Sequence, residues 1–296
     1  MMRIGLGLPV VTAYPPTTQD WEKGAGIAEI ATAARVADAL GFHHLTCSEH
    51  VAVPDEVAAV RGGVYWDPLA TFGYLAAITR QIRFATSVLV LGYHHPLEVA
   101  KRYGTLDQVS GGRLVLGVGV GSLQEEFELL GAEFDGRGAR ADDALAAIRS
   151  AFPTGTPSHT GPYYSYGGVT VEPHAVQDRV PVWVGGRSGR ALRRAVELGD
   201  GFSPFALSPD EVATMLSRVE TPEGFDVVLP SGPVDPLGDP DGVRSRLDSL
   251  QAAGATIVTA SIAATGLDHY TDQLDALHSL ARAQGAVFSP AAEGPR

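Results

Sequence analysis

The chain has 296 residues, with 22 basic against 34 acidic side chains, a net charge of −12 and 45% hydrophobic residues. That balance excludes a general nucleic-acid surface and a disordered chain, and the lone Cys47 excludes an intramolecular disulfide framework or a zinc site built from several cysteines. Such a length suits two average domains or one α/β barrel, and 35 glycines with 20 prolines point to many short elements joined by tight turns.

The start, Met1-Met2-Arg3-Ile4-Gly5-Leu6, enters apolar alternation at once, without the basic and apolar regions of a secretory leader. No apolar run approaches the roughly 18 residues of a spanning helix, so a soluble, cytoplasmic chain with no membrane partner is expected. A first strand falls near Ile4–Leu8, followed by the proline-rich loop Tyr14-Pro15-Pro16-Thr17-Thr18. Helical spacing over Ile27–Leu40 stops at Gly41 and a strand, His43–Cys47, follows. Further strands are predicted near Ile82–Val88 and Leu114–Val118. Gly117 to Gly121 then reads as a glycine turn, and Ser122-Leu123-Gln124-Glu125 as a capping box with Glu125 the cap partner. Between Pro153 and Pro181 lies an inserted β-hairpin, with limbs around Gly161–Tyr164 and Gly167–Val171. A strand at Val182–Gly185, a helix at Ala191–Leu198 and a strand at Gly201–Phe205 come next. The series closes with Asp226–Leu229, a helix from Val243 to Leu250, and Thr256–Ile262; the tail Ser289–Arg296 is expected to fray. Gly41, Gly199 and Gly254 each stand where a left-handed helix cap is expected.

Eight apolar strands alternating with helices predict a parallel sheet, and in one chain of this length a single-domain (β/α)8 TIM barrel over residues 1–296. A doubly wound open sheet is the alternative. It would carry a nucleotide fingerprint after the first strand, and Gly5-Leu6-Gly7-Leu8-Pro9 lacks both the third glycine and a following helix.

Several residues stand where chemistry would be done. In Val184-Gly185-Gly186-Arg187-Ser188-Gly189-Arg190 a strand meets a helix start through two glycines, which leaves unpaired N–H groups for an anion; the plainer reading is a βα turn capped by Ser188. His50 lies just past the second strand, where a barrel places its reactive groups, and a histidine there can donate to or protonate a bound ring. Cys47 reads as a small buried apolar residue rather than a nucleophile. His43 and His44, as strand neighbours, should point to opposite faces and share no metal, and no metal site is expected; His94 or His95 could touch substrate or cofactor.

Taken together, the blocks Asp67-Pro68-Leu69, Thr86 to Leu91 and Ser110-Gly111-Gly112-Arg113 to Gly119 resemble the luciferase-like monooxygenase superfamily. Glu126-Phe127-Glu128-Leu129-Leu130-Gly131, Phe134-Asp135-Gly136-Arg137 and the later Pro181-Val182-Trp183-Val184-Gly185-Gly186-Arg187-Ser188 resemble its actinobacterial branch that uses the deazaflavin coenzyme F-420. The resemblance implies a TIM-type barrel that binds flavin or deazaflavin at the C-terminal strand ends, commonly as a homodimer. It implies a cofactor phosphate at Gly185, Gly186, Arg187 and Ser188 with Phe202 and Ser203, a non-prolyl cis peptide at Ser87-Val88 behind the ring, and His50 in an acid–histidine pair facing the ring. Some F-420 dehydrogenases carry a catalytic glutamate where this chain has Ser122. The expected activity is F-420-dependent hydride transfer to or from a small organic substrate. An FMN-dependent monooxygenase on the same barrel, or a cofactor-binding protein without turnover, are the alternatives.

Overall fold

In the computed structural model, which describes residues 1–15 and 17–290, eight strands run parallel: β1 Arg3–Gly7, β2 His44–Cys47, β3 Arg83–Thr86, β4 Leu114–Gly119, β5 Val182–Gly186, β6 Gly201–Pro204, β7 Asp226–Val234 and β8 Ile257–Ile262. Each pairs with its successor, and β8 returns to β1, so the sheet closes into a (β/α)8 TIM barrel as the repeat predicts. Ten α-helices are described: α1 Ile27–Ala39, α2 Asp55–Arg61, α3 Pro68–Ile78, α4 Pro96–Ser110, α5 Gln124–Leu129, α6 Arg137–Ala151, α7 Gly189–Leu198, α8 Pro209–Leu216, α9 Pro240–Ala252 and α10 Leu267–Ala283. None of the described helices is long and apolar enough to cross a membrane.

The strands are apolar on both faces because both faces are buried. Phe84, Leu114, Leu116, Val118, Val182, Val184 and Phe202 join the large core shared with the helices. Their alternates Ala85, Val115, Trp183, Val228 and Ile257 form a separate cluster inside the barrel. Two of the three glycine caps follow the expectation, Gly41 at φ 76° and Gly254 at φ 100°. Gly199 does not: its φ is −105°, and glycine is needed there because a Cβ would lie 2.7 Å from the Ala195 carbonyl oxygen.

Other expectations need correction. His43 and His44 share one environment at the N-terminal end of the barrel: their Nδ1 atoms lie 3.0 Å apart and both rings pack on Trp183. Strand alternation does not separate them, because β2 begins only at His44. Burial, then the charges of His44, Arg3 and Arg83, lowers His43 to about 2; burial and the same arginines lower His44 to about 3. The inserted hairpin is shorter than expected, pairing only His159–Thr160 with Ser165–Tyr166, and 167–171 form no strand. Asp143 of α6 pins its turn, accepting the Tyr163 and Tyr164 N–H groups at 2.8 Å each. The tail does not fray at its start: Ser289 N donates to Gly41 O at 2.9 Å and Phe288 packs edge-on to Phe42. The rest of that tail, 291–296, and Pro16 of the proline-rich loop lie outside the described residues.

Candidate active site

Chain leaving β2 at Cys47 crosses the C-terminal mouth of the barrel. Cys47 itself is 1% exposed, and burial, with the Asp67 charge, pushes its thiol up to about 12, which suits the apolar role read from the sequence. The next two side chains of interest are the chain neighbours Glu49 and His50. They do not pair with each other. Glu49 accepts the Val90 N–H at 2.8 Å and lies 2.8 Å from Nε2 of His94, whereas His50 Nδ1 lies 2.6 Å from Oε2 of Glu126 on α5. Two carboxylate–histidine couples therefore cross between three loops of the mouth.

Glu126 anchors the second couple. It has no exposed surface, and it accepts four donors: His50 Nδ1–H at 2.6 Å, Tyr93 O–H at 2.8 Å, Val51 N–H at 2.6 Å and Ala52 N–H at 3.2 Å. Burial alone would raise its pKa; the hydrogen bonds from His50, Tyr93, Ala52 and Val51 outweigh burial and hold it below the ordinary 4.5. Burial and the bond to Glu126 push the Tyr93 phenol up, so it stays a donor. An ionised carboxylate can only accept, so Nδ1 of His50 carries its hydrogen. Nε2 is left with no partner among the described residues, and the ring packs 4.5 Å from Tyr65.

Nothing local in the sequence distinguishes Glu126 from its acidic neighbours. The expected capping box does not form: Leu123 is the N-cap, without a side-chain cap bond, and α5 begins at Gln124. Glu125 is consequently exposed and Glu126 turns inward beside Phe127. Its one signal was its place in a block that carries the family resemblance. His94 does reach the mouth through Glu49, but His95 is exposed and caps α4 by accepting Leu97 N–H at 3.2 Å.

Across the mouth, β5 runs into α7. Gly186 adopts φ 141° and a Cβ there would lie 2.6 Å from Ala191 Cβ; Ser188 Oγ accepts Ala191 N–H at 3.3 Å as the N-cap. Arg187 and Arg190 are exposed beside this turn, the Arg187 guanidinium 6.0 Å from the Phe205 ring. Ser203 pairs in register with Gly185 and, with Ser87, Val88 and Thr46, lines a void of about 10 Å³ under the mouth. Phe202 is apart from this set: its ring is fully buried in the helix-facing core, because alternation along β6 turns it away from Ser203. The Ser87-Val88 peptide is cis. Val88 forms a floor between β4 and β5 and crowds the glycines beside it: Cβ atoms on Gly119 and Gly185 would stand 2.7 Å and 3.0 Å from its methyl groups.

The arrangement combines an open helix start with glycines and exposed arginines on one rim and an anchored histidine on the other. It suits an anionic group on the first and proton transfer at the second.

This barrel is that of a known class. The chain matches the family model for luciferase-like monooxygenases over residues 2–279 and belongs to that family. An uncharacterised protein of Mycobacterium tuberculosis is 30% identical over 199 residues, 63% of this chain and 68% of that protein. The oxygenase component of a flavin-dependent trigonelline monooxygenase from Acinetobacter baylyi is 26% identical over 195 residues, 64% of this chain and 52% of that one. Among solved structures, monooxygenase RslO1 from Streptomyces bottropensis superposes with a TM-score of 0.79 at 20% identity, covering 96% of this chain and 100% of that one. The coenzyme F420 dependent tetrahydromethanopterin reductase of Methanopyrus kandleri gives 0.71 at 16% identity, covering 94% and 97%. The chain is thus an oxidoreductase of the luciferase-like family, and this fold serves F420-dependent enzymes and flavin monooxygenases alike.

Proposed function

We propose that the protein is an oxidoreductase that uses coenzyme F-420 for hydride exchange with a small organic substrate, with His50 as the residue that holds and moves the accompanying proton. The observation that carries this reading is the His50–Glu126 couple: the segment beginning at Glu126, which resembles the F-420 branch, is the one that supplies the buried carboxylate and anchors Nδ1 at 2.6 Å. F-420, when bound, supplies or accepts the hydride. The protein supplies position and protons. Gly185, Gly186, Arg187 and Ser188 would hold a phosphate at the start of α7, with Ser203 beside them, while Ser87 and Val88 floor the mouth. Phe202 would contribute backbone alone. Glu126 keeps His50 in the tautomer whose Nε2 faces away from the carboxylate, so that protonated His50 donates there and neutral His50 accepts.

A second reading, an FMN-dependent monooxygenase, is favoured by the curated relative that acts on trigonelline. Titrating the protein with F-420 and FMN side by side separates the two. Tighter binding of F-420, with reduction of a carbonyl, enone or imine panel by the reduced coenzyme, supports the first; oxygen uptake with reduced FMN sinks it. In the active assay His50→Ala should lower turnover about 10²-fold or more, and unchanged kinetics would remove His50 from the chemistry.

A further inference from the structure

Outside the mouth, an open groove of about 560 Å³ runs between α1 and α3, within the size range of small-molecule sites. Tyr65, Trp66 and Tyr74 give it three aromatic walls, and Ile27 and Val64 add apolar surface. Large side chains are left uncovered here: Ile27 is 39%, Tyr74 44% and Val64 49% exposed. The walls are held in place by backbone pairing. Thr12–Ala13 pairs with Val64–Tyr65, Trp66 N donates to Val11 O at 2.9 Å, and the Cys47 thiol donates to Trp66 O at 3.4 Å. No lysine, arginine or histidine lines the groove, and its one carboxylate is Asp67. One oxygen of Asp67 caps α3 by accepting Ala70 N–H at 2.7 Å, and the other has no partner among the described residues.

We propose that this groove binds an aromatic organic cation. Aromatic faces attract a cation, a half-used carboxylate adds charge, and the field of a −12 chain draws cations in. An anion would meet Asp67 with no compensating charge among the lining residues. Tyr65 belongs to both the groove and the mouth, since its ring packs 4.5 Å from His50. A ligand seated here touches Tyr65, the ring neighbour of the residue given the proton-moving role. That the ligand is also the substrate rests on the function proposed above; that it binds does not.

The test is calorimetric titration of the cofactor-free protein with benzyltrimethylammonium, benzyl alcohol and benzoate. Benzyltrimethylammonium should bind about tenfold more tightly than benzyl alcohol, with benzoate weakest. Tyr74→Ala should weaken the cation about fivefold by removing one wall. Asp67→Asn, which retains a good N-cap, should erase the preference of the cation over the alcohol. Benzoate binding as tightly as the cation, or cation binding indifferent to Tyr74→Ala, overturns the proposal. So does failure of all three probes in a protein whose dimer dissociates on Tyr74→Ala in sedimentation, which would show a second copy covering the groove. Binding as expected, in a protein inactive with both cofactors, would overturn the proposed function and leave the groove standing.

Discussion

Replacing Glu126 with glutamine changes one atom's chemistry at nearly constant volume and tests the anchor of the candidate site. The carboxylate accepts two bonds on each oxygen: Val51 and Ala52 N–H at 2.6 Å and 3.2 Å on Oε1, His50 and Tyr93 at 2.6 Å and 2.8 Å on Oε2. A glutamine oxygen can keep the two backbone donors, which leaves its NH₂ facing His50 and Tyr93. The Tyr93 hydroxyl can rotate to accept, but His50 can accept at Nδ1 only by moving its hydrogen to Nε2. All four bonds to the carboxylate are charge-assisted, worth about 1.5–3 kcal/mol each against about 1 kcal/mol for an ordinary bond, so the loss is about 2–8 kcal/mol. At about 2 °C or more per kcal/mol, the unfolding midpoint at pH 7 should fall by several degrees. The pH dependence has a definite sign. Because the folded-state pKa of Glu126 is held below 4.5, its stabilisation is complete above that pH and is lost as the pH falls through the lower folded value. The gap between wild type and Glu126→Gln in thermal unfolding should therefore be widest at neutral pH and narrow in acid. Turnover should fall as well, since the tautomer of His50 is inverted. Equal midpoints at pH 7, or a gap unchanged down to pH 3, would refute the argument.

Two further outcomes follow from the packing. In β4, a Cβ on Gly117 would overlap the Thr86 carbonyl oxygen of β3, so Gly117→Ala should cost about 3 kcal/mol, whereas Gly73→Ala, mid-α3 with open space around it, should stabilise by up to about 1 kcal/mol. Urea midpoints that fail to move in opposite directions would contradict this. His44 binds no proton in the folded state until about pH 3, while the unfolded chain takes one up at about 6.5; stability should therefore fall on acidification between those values, by up to about 1.4 kcal/mol per pH unit. His44→Gln should flatten the urea midpoint between pH 6 and pH 4, and an unchanged slope would show that His44 is charged in the folded protein.

The barrel was legible in the sequence because its signals are local. All eight strands fall within a few residues of the apolar runs that predict them, as with β2 at His44–Cys47 inside the expected His43–Cys47. The turn from β5 into α7 was legible for the same reason, its glycines and Ser188 being consecutive in the chain. Partner choice at the mouth was not. Glu49 and His50 are adjacent, yet their partners lie 45 and 76 positions away, in His94 and Glu126. Glu125, Glu126 and Glu128 are equivalent as residues, and only the start of α5 at Gln124 decides which one is buried. Strand periodicity and turn chemistry act over a few neighbouring residues, so the order of residues alone determines the barrel and its glycine turns. A buried carboxylate must instead find its donors among whatever loops converge on it, and that convergence exists only once the barrel has closed, so the tertiary structure alone decided that His50 is held by Glu126.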